Sequence, residues 1–353
     1  MPARYLTAAA ELRRRCARMR KEGQTKLPGE LTLCTECGCS RETVRRALAI
    51  LAEEGLIVRV HGSGTYLAGA EPVRRGRVAV VLPSADTYLY PQLLRDLEAV
   101  FAEAGCTVEV CVTHNLVREE RAVLARLLAD PPAGILIEGA KSALPSVNLD
   151  LLEQIGRQGI PLVWLHAPLP VPEGAPCFQD ENAEGARILV RHLRERGHEH
   201  IAAVFKSDDR QGHERYFGFA SALLREGLSL EEAHILWYDT AAREALLAGR
   251  GDWLERFAAR LAPCTAVVCY NDEIAYPLIR ALLRMGRRVP EDTAVVSFDN
   301  SHLCTLSPVP ITSLAHEKHQ MGTLAAKALL RLLAGKPAPG ARLPWTLRER
   351  RSG

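Results

Sequence analysis

The sequence predicts an α/β fold class: a small N-terminal winged helix-turn-helix domain, followed by a two-lobed domain built on parallel sheets. Three observations support this prediction. The 353 residues are enough for two or three domains. Residues 1–77 contain 15 Lys and Arg against 8 Asp and Glu, whereas residues 78–353 contain 30 against 34. After residue 77, apolar β-branched segments alternate with amphipathic ones, which is typical of parallel sheets covered by helices.

The basic N-terminal segment has the pattern of three short helices. Apolar residues recur at helical spacing over Tyr5–Lys21, and a second helix is expected at Leu31–Cys37. Gly38 provides a tight turn. Ser40 then stands where it would cap a third helix, Arg41–Glu54.

The third helix is expected to present a polar face to DNA. Two short strands that follow it in the sequence are expected to form a wing. Its exposed positions are Arg41, Thr43, Arg45 and Arg46. Arginine side chains on a helix in the major groove reach guanine edges and phosphates. Together with the positive charge of this segment, the pattern predicts double-stranded DNA as a partner.

Residues 27–67, LPGELTLCTECGCSRETVRRALAILAEEGLIVRVHGSGTYL, resemble the DNA-binding domain of the GntR family of bacterial repressors. The resemblance implies a winged-helix domain over residues 1–69, with Glu30 joining the third helix at the DNA. It also implies a wing tip at the minor groove, formed by His61, Gly62, Ser63, Gly64 and Thr65. Position 29 is Gly and position 61 is His, where other residues are usual, so the DNA sequence preference is expected to differ.

Ten cysteines raise the question of a metal site. Cys34, Cys37 and Cys39 are close in sequence, but a second pair at zinc-ligand spacing is missing. They fall at apolar positions of the helical pattern, where cysteine acts as a small hydrophobic residue. We expect no metal, no cofactor and a reducing, cytoplasmic location at the nucleoid. No apolar run approaches the ~20 residues of a membrane span.

Residues 70–77 are expected to be a linker to an acidic effector domain, residues 78–353. Predicted strands are Val78–Leu82, Thr107–Thr113, Gly134–Ile137, Leu162–His166, Ile201–Phe205, Ala266–Tyr270 and Thr293–Phe298. They group into two lobes, with chain crossings expected near 170–180 and 300–316. In open α/β sheets, ligands bind beyond the carboxyl ends of the strands, so a cleft between the lobes is the expected site.

Polar side chains follow most of these strands. Carboxylate, amide and guanidinium groups can form paired hydrogen bonds to two adjacent hydroxyls, which favours a polyol-like ligand. Other interpretations stay open: Asp209 and Asp272 are also placed to cap helices, which is favoured for Asp272. Asp299 fits a turn that satisfies its own backbone, and Glu138 with Lys141 fits a surface ion pair.

The second domain is similar to the effector domain of the LacI family, on VVCYNDEIAYPLIRALLRMGRRVPEDTAVVSFDNSHL and DENAEGARILVRHLRERGHEHIAAVF. A GntR-type head on such a body is the arrangement of the arabinose repressors of Gram-positive bacteria. The resemblance implies a homodimer on an inverted-repeat operator, released by a monosaccharide, L-arabinose. It implies sugar contacts by Tyr88, Tyr90, Glu138, Lys141, His166, Asp209, Gln211, Arg215, Asn271, Asp299 and His316.

The alternatives are a GntR-headed regulator of another small polar ligand, such as another sugar or a sugar phosphate, and an enzyme. An aminotransferase-like body needs a buried Lys and a phosphate cup, and Lys141 and Lys206 lack that setting. The hydrolase motif G-x-S-x-G is absent from the sequence. The sequence therefore predicts a regulator with no catalytic residues.

Overall fold

The computed structural model describes residues 4–22, 24–60, 64–68, 76–316 and 320–353. By its internal contacts the chain divides into two compact units. We call them the head, Met1–Arg75 with Leu330–Pro337, and the body, Gly76–Leu329 with Ala338–Gly353. This boundary falls inside the predicted linker, of which residues 70–75 lie outside the described residues. The predicted domain bounds remain predictions.

The N-terminal part of the head contains, in its described residues, three helices and a two-stranded antiparallel wing. The elements are α1 (Arg4–Lys21), α2 (Glu30–Cys37), α3 (Arg41–Glu53), β1 (Ile57–Val60) and β2 (Gly64–Leu67). Gly38 ends α2 at φ 59°, and the Ser40 Oγ caps α3 by accepting a hydrogen bond from the Thr43 amide at 3.4 Å. Cys34, Cys37 and Cys39 pack, partly buried, against the apolar core of the head. This packing fits the expected role as small apolar residues.

The first lobe of the body is a six-stranded parallel sheet in the order β13-β7-β6-β5-β3-β4. Its strands are β3 (Arg77–Leu82), β4 (Thr107–Val112), β5 (Gly134–Ile137), β6 (Leu162–Leu165), β7 (Cys177–Asp180) and β13 (Ala341–Leu343). The helices between them are α4 (Tyr90–Glu103), α5 (Val117–Ala129) and α6 (Leu149–Arg157). Helix α13 (Gln320–Leu333) also contacts this lobe, because Gly322 lies against Leu93 and Asp96 of α4.

The second lobe repeats this architecture in the order β14-β12-β11-β10-β8-β9, with only β14 antiparallel to its neighbour. Its strands are β8 (Ile201–Lys206), β9 (Ile235–Tyr238), β10 (Ala266–Cys269), β11 (Ala294–Phe298), β12 (Thr312–Ala315) and β14 (Thr346–Arg348). Its helices are α7 (Asn182–Glu195), α8 (Arg210–Arg225), α9 (Thr240–Leu247), α10 (Trp253–Ala259), α11 (Asp272–Arg284) and α12 (Leu303–Leu306).

The chain passes between the lobes three times. It crosses after β7, between β12 and α13, and between β13 and β14. The crossings expected near 170–180 and 300–316 lie next to the first two, and the third was not predicted. Strands of three or four residues, such as β13 and β14, are too short to show a period-2 pattern. Each crossing delivers a segment to the space between the two sheets.

Candidate functional site

A cavity of about 1040 Å³ lies between the two lobes of the body. Ten of the eleven residues that the sequence associates with a ligand line it: Tyr88, Tyr90, Glu138, His166, Asp209, Gln211, Arg215, Asn271, Asp299 and His316. Lys141 is not part of this lining. Its Nζ lies instead 2.8 Å from the Oδ2 of Asp208. Residues that follow strands of both sheets meet here because parallel strands direct their carboxyl ends to the same edge.

Arg215, on α8, is only 2% exposed although it lines the cavity. Its Nε donates to the Oδ1 of Asn182 at 2.9 Å, and its Nη1 donates to the backbone oxygen of Tyr270. Its Nη2 lies 3.4 Å from the Oδ1 of Asp299. The rings of Phe298 and Tyr270 have their centroids 4.2 and 4.7 Å from the guanidinium carbon. A guanidinium held in this way presents a planar donor in one fixed orientation.

Asp299 joins the two lobes through Tyr88. The Tyr88 Oη donates to the Asp299 Oδ2 at 2.8 Å. Burial, together with the neighbouring Asp299 carboxylate, raises the pKa of Tyr88 well above its usual value, so the phenol stays neutral and acts as a donor. Both residues have left-handed backbones, with φ 56° at Tyr88 and 91° at Asp299.

A buried carboxylate supports the turn that carries Asp299. Asp272 accepts from the Ser301 amide at 2.6 Å and from the Ser313 Oγ at 2.7 Å. Burial raises its pKa to about 6. The expectation that Asp272 caps its helix is wrong: Asn271 caps α11, and its side chain accepts from the Ile274 amide at 3.3 Å. Asn271, one residue earlier, supplies the capping oxygen, and the Asp272 side chain instead accepts from Ser301 and Ser313.

Asp209 caps its helix, as one of the two interpretations from the sequence expected, and it also lines the cavity. Its Oδ1 caps α8 by accepting from the Gly212 amide at 2.7 Å. Its Oδ2 accepts from the Tyr270 Oη at 2.6 Å and lies 3.2 Å from the Nζ of Lys206. The Tyr270 Oη also lies 3.0 Å from the Oε1 of Gln211. Capping thus fixes the carboxylate at the cavity wall.

His166 lies between two acids of the first lobe. Its Nδ1 is 3.3 Å from the Oδ2 of Asp180, and its Nε2 is 3.8 Å from the Oε2 of Glu138. The Tyr90 Oη donates to the same Glu138 oxygen at 3.2 Å. Burial lowers the pKa of His166, but the two carboxylates raise it more, to about 9. The imidazole is therefore protonated at neutral pH.

Left-handed backbone conformations are concentrated at this cavity. Seven non-glycine residues of the described chain have a positive φ, and six of these line it: Tyr88, His114, Asn115, His166, Asp299 and Asn300. The seventh is Lys141. Each such conformation costs about 1–3 kcal/mol and persists only where the surroundings enforce it, which is typical of ligand sites.

Three of the predicted DNA-binding residues of the head, Glu30, Arg41 and Arg45, form an ion-paired cluster. Glu30 accepts from the Nε of both Arg41 and Arg45 at 3.1 Å, while the two arginine side chains stay 60% and 53% exposed. Arg46 lies over the ring of Tyr5 on α1, with its guanidinium carbon 4.9 Å from the ring centroid. Thr43 lies on the first turn of α3, and its Oγ1 is 2.9 Å from the Oγ of Ser40, which caps this helix.

The predicted wing tip is only partly visible. His61, Gly62 and Ser63 lie outside the described residues. Gly64 and Thr65 begin β2, where Thr65 pairs with Arg59 in the antiparallel wing. The contacts of the wing tip with DNA therefore remain a prediction.

Comparison with known proteins gives the same division into head and body. Residues 4–67 match the model of bacterial regulatory proteins of the gntR family, and residues 190–353 match that of the periplasmic binding protein-like domain. The chain is 33% identical over 314 residues to the arabinose metabolism transcriptional repressor of Halalkalibacterium halodurans, covering 86% of this chain and 82% of that one. The chain belongs to the GntR family of bacterial regulatory proteins.

Two further relatives agree with this assignment. The GntR-family chain is 31% identical to the arabinose metabolism transcriptional repressor of Geobacillus stearothermophilus, over 87% of this chain and 85% of that one. It superposes on the crystal structure of transcription regulator GntR from Chromobacterium violaceum with a TM-score of 0.68 and 25% identity, covering 78% of this chain and 98% of that one. The predicted fold class is confirmed: a GntR head and a LacI-type, periplasmic-binding-protein-like body.

Several polar side chains of this GntR-family cavity were not identified from the sequence. They are Asp180, Lys206, Arg243, Tyr270 and Trp345. Asp180, Lys206 and Tyr270 stand at or just after strand ends, so the rule that found the others could have found them. Arg243 comes from α9, which the sequence did not predict, and Trp345 from the missed third crossing.

Two searches of the described part of the GntR-family chain were negative. No helix there is long and apolar enough to cross a membrane. Within the same residues, no group of three or more His, Cys, Asp or Glu side chains is arranged to hold a metal ion.

Proposed function

We propose that this GntR-family regulator is a transcriptional repressor that binds L-arabinose in the cavity between its lobes and then releases its operator. The observation that carries the proposal is the ring of fixed polar side chains around the cavity, in a chain one-third identical to arabinose metabolism repressors. The relatives are regulators, and we propose no enzymatic activity.

The chemistry of the ring suits a sugar. A sugar hydroxyl both donates and accepts, so it needs carboxylates and donors with fixed directions. Asp299, Asp209 and Glu138 each accept a hydrogen bond from a tyrosine and keep lone pairs for a ligand. Arg215 supplies the oriented donor, and Trp345 adds an aromatic face to those of Tyr88 and Tyr90.

The charges of the cavity argue for a neutral ligand and against a sugar phosphate. Its lining contains eight carboxylates: Asp86, Asp96, Glu138, Asp180, Asp209, Glu244, Glu273 and Asp299. The cations of the lining are Lys206, Arg215, Arg243 and protonated His166, and each lies beside a carboxylate. An anion entering this field is repelled and finds these cations already paired.

In this proposal two chains form a homodimer and bind an inverted repeat, since a two-fold protein requires a two-fold operator. Arg41 and Arg45 are exposed and oriented by Glu30, which makes them the leading candidates for base contacts. The wing-tip residues and Thr43 would complete the interface. The regulator would then act in the cytoplasm, at the nucleoid.

The proposal is tested by calorimetric titration of the purified protein with L-arabinose, D-xylose, D-glucose and a pentose phosphate. We expect L-arabinose to bind most tightly and the phosphate not to bind. We also expect L-arabinose to dissociate the protein from an inverted-repeat operator in an anisotropy assay. Binding of the phosphate alone, or of none of the four, would reject the assignment.

A further inference from the structure

Four side chains join the two lobes in addition to the ten cavity-lining residues proposed to contact the sugar. We call them the latch: Asn115 and Lys141 from the first lobe, Asp208 and Thr240 from the second. The Nζ of Lys141 lies 2.8 Å from the Oδ2 of Asp208. The Asn115 Nδ2 donates to the Thr240 Oγ1 at 2.7 Å and lies 3.3 Å from the same Asp208 oxygen. The Thr240 amide also donates to Asp208, at 3.1 Å.

The first-lobe half of the latch is held in shape by its own lobe. The Asn115 Oδ1 accepts from the Lys141 amide at 2.6 Å. Next to it, the Ala140 amide donates to the Oε1 of the buried Glu120 at 2.7 Å. Asn115 and Lys141 both have left-handed backbones, with φ 55° and 47°. The lysine is therefore presented toward the other lobe by a local structure that does not depend on that lobe.

The second-lobe half is a nearly buried carboxylate. Asp208 is 5% exposed, whereas the Lys141 side chain is 28% exposed. Burial raises the pKa of Asp208, but Lys206, Lys141 and the Thr240 donors lower it more, to about 2. Asp208 is ionised throughout the physiological range. An ion pair largely removed from water is screened far less by salt than a surface pair.

Neither Lys141 nor Asp208 is part of the cavity lining, whereas Asn115 and Thr240 are. We propose that Lys141 and Asp208 are positioning residues for the effector response. Their ion pair holds the lobes in the closed arrangement and so sets the affinity for the sugar without touching it. The expected change in sugar affinity rests on the proposed function, because L-arabinose is the ligand used. The expected change in the arrangement of the lobes does not, because it is measured without sugar.

The physical reason is linkage. A ligand held by side chains of both lobes binds the closed arrangement, so its apparent dissociation constant is the intrinsic one divided by the closed fraction. Removing the latch lowers that fraction and weakens sugar binding while every sugar contact remains. If the closed form is the one that leaves DNA, the same change strengthens operator binding in the absence of sugar.

The test uses the full-length protein with Lys141→Met, Asp208→Asn and both changes together. The matched control is Arg121→Met, which breaks an exposed ion pair with Asp150 inside the first lobe, at 2.9 Å. Calorimetry with L-arabinose is expected to show a dissociation constant raised roughly 5- to 50-fold by either latch variant. The dissociation constant of the double variant should be no higher than that of the weaker-binding single variant. The control should keep the wild-type dissociation constant.

Small-angle X-ray scattering of the sugar-free proteins provides the independent measurement. The latch variants are expected to have a larger radius of gyration than the wild type, and Lys141→Arg should restore the wild-type value. Equal radii in folded variants would overturn the inference, as would additive effects in the double variant. If the wild type binds no sugar while the radii differ as expected, the proposed function fails and the latch stands.

Discussion

The imidazole of His316 lies nearly parallel to the indole of Trp345, with ring centroids 3.5 Å apart and planes 27° apart. His316 also places its Nε2 2.8 Å from the Oδ1 of Asp180 and its Nδ1 2.9 Å from the backbone oxygen of Pro344. Asp180 ends the strand before the first crossing, His316 begins the second, and Trp345 lies in the third. All three connections between the lobes therefore meet at one cluster in the cavity wall.

Trp345 is expected to report sugar binding by fluorescence. It lines the cavity, stacks on His316 and lies beside Arg215, with its ring centroid 5.6 Å from the guanidinium carbon. Adding L-arabinose to the wild type should change the intrinsic emission. Trp345→Phe should lose most of that change, while calorimetry still detects binding. A full fluorescence change in the variant would place the reporting indole among the other three tryptophans.

Gly185→Ala is expected to destabilise the second lobe. A Cβ there would lie 2.6 Å from the Cδ1 of Trp345 and 2.8 Å from the Cε1 of Phe298, so both rings that frame Arg215 must move. Such overpacking costs typically about 1–3 kcal/mol, which urea unfolding would measure. Adding Trp345→Ala removes the indole and with it one of the two clashes, so the double variant should lose less stability than the two single variants together.

The stability of the body is expected to fall between pH 6.5 and 9. The pKa of His166 is raised to about 9, above its value of about 6.5 in an unfolded chain. Its contribution is therefore fully present below pH 6.5 and is lost as the pH rises toward 9, at most about 3 kcal/mol. The groups facing it are Glu138, Asp180 and, further away, Asp299, all carboxylates.

Urea unfolding at pH 6.5 and 9 measures this effect, with His166→Gln as the comparison. The variant should be less stable than the wild type at pH 6.5 and should show a smaller loss between the two values. An equal pH dependence in both proteins would mean that another group titrates.

Arg41→Ala and Arg45→Ala are each expected to reduce specific operator binding roughly 5- to 150-fold, because each removes a candidate contact to a base edge, which is worth about 1–3 kcal/mol. L-arabinose affinity should not change, since the cavity lies within the body. Fluorescence anisotropy with a labelled operator and calorimetry with sugar measure the two properties. Arg13→Ala, which breaks a head ion pair with Glu54, is the control. Loss of both properties in one variant would contradict separate functions for head and body.

Asp299→Asn is expected to separate operator binding from the sugar response. The amide keeps the shape of the side chain but loses the charge that pairs with Arg215, and it accepts less strongly from Tyr88. The variant should bind the operator like the wild type and should need at least tenfold more L-arabinose for release, as a lost charged hydrogen bond of about 1.5–3 kcal/mol implies. Unchanged release would exclude Asp299 from the sugar site.

The sequence alone determined the winged helix-turn-helix pattern of the head, the alternation of strands and helices, and ten residues of the cavity lining. These features are local: a helix repeats every 3.6 residues, a buried strand is a short apolar run, and a polar residue after a strand must lie at the sheet edge. The same rule placed Lys141 at this edge but could not show that it faces Asp208, which is 67 residues away.

Only the tertiary structure decided the relationships between distant segments. The inward turn of Asp272, the contact of Arg46 with Tyr5, and the meeting of Asp180, His316 and Trp345 each depend on how whole elements pack. The strands that carry or flank this last cluster, β7, β13 and β14, have three or four residues and are specified by neighbours in the sheet rather than by their own pattern. Side-chain partners therefore follow from the packing of the lobes, which local periodicity does not encode.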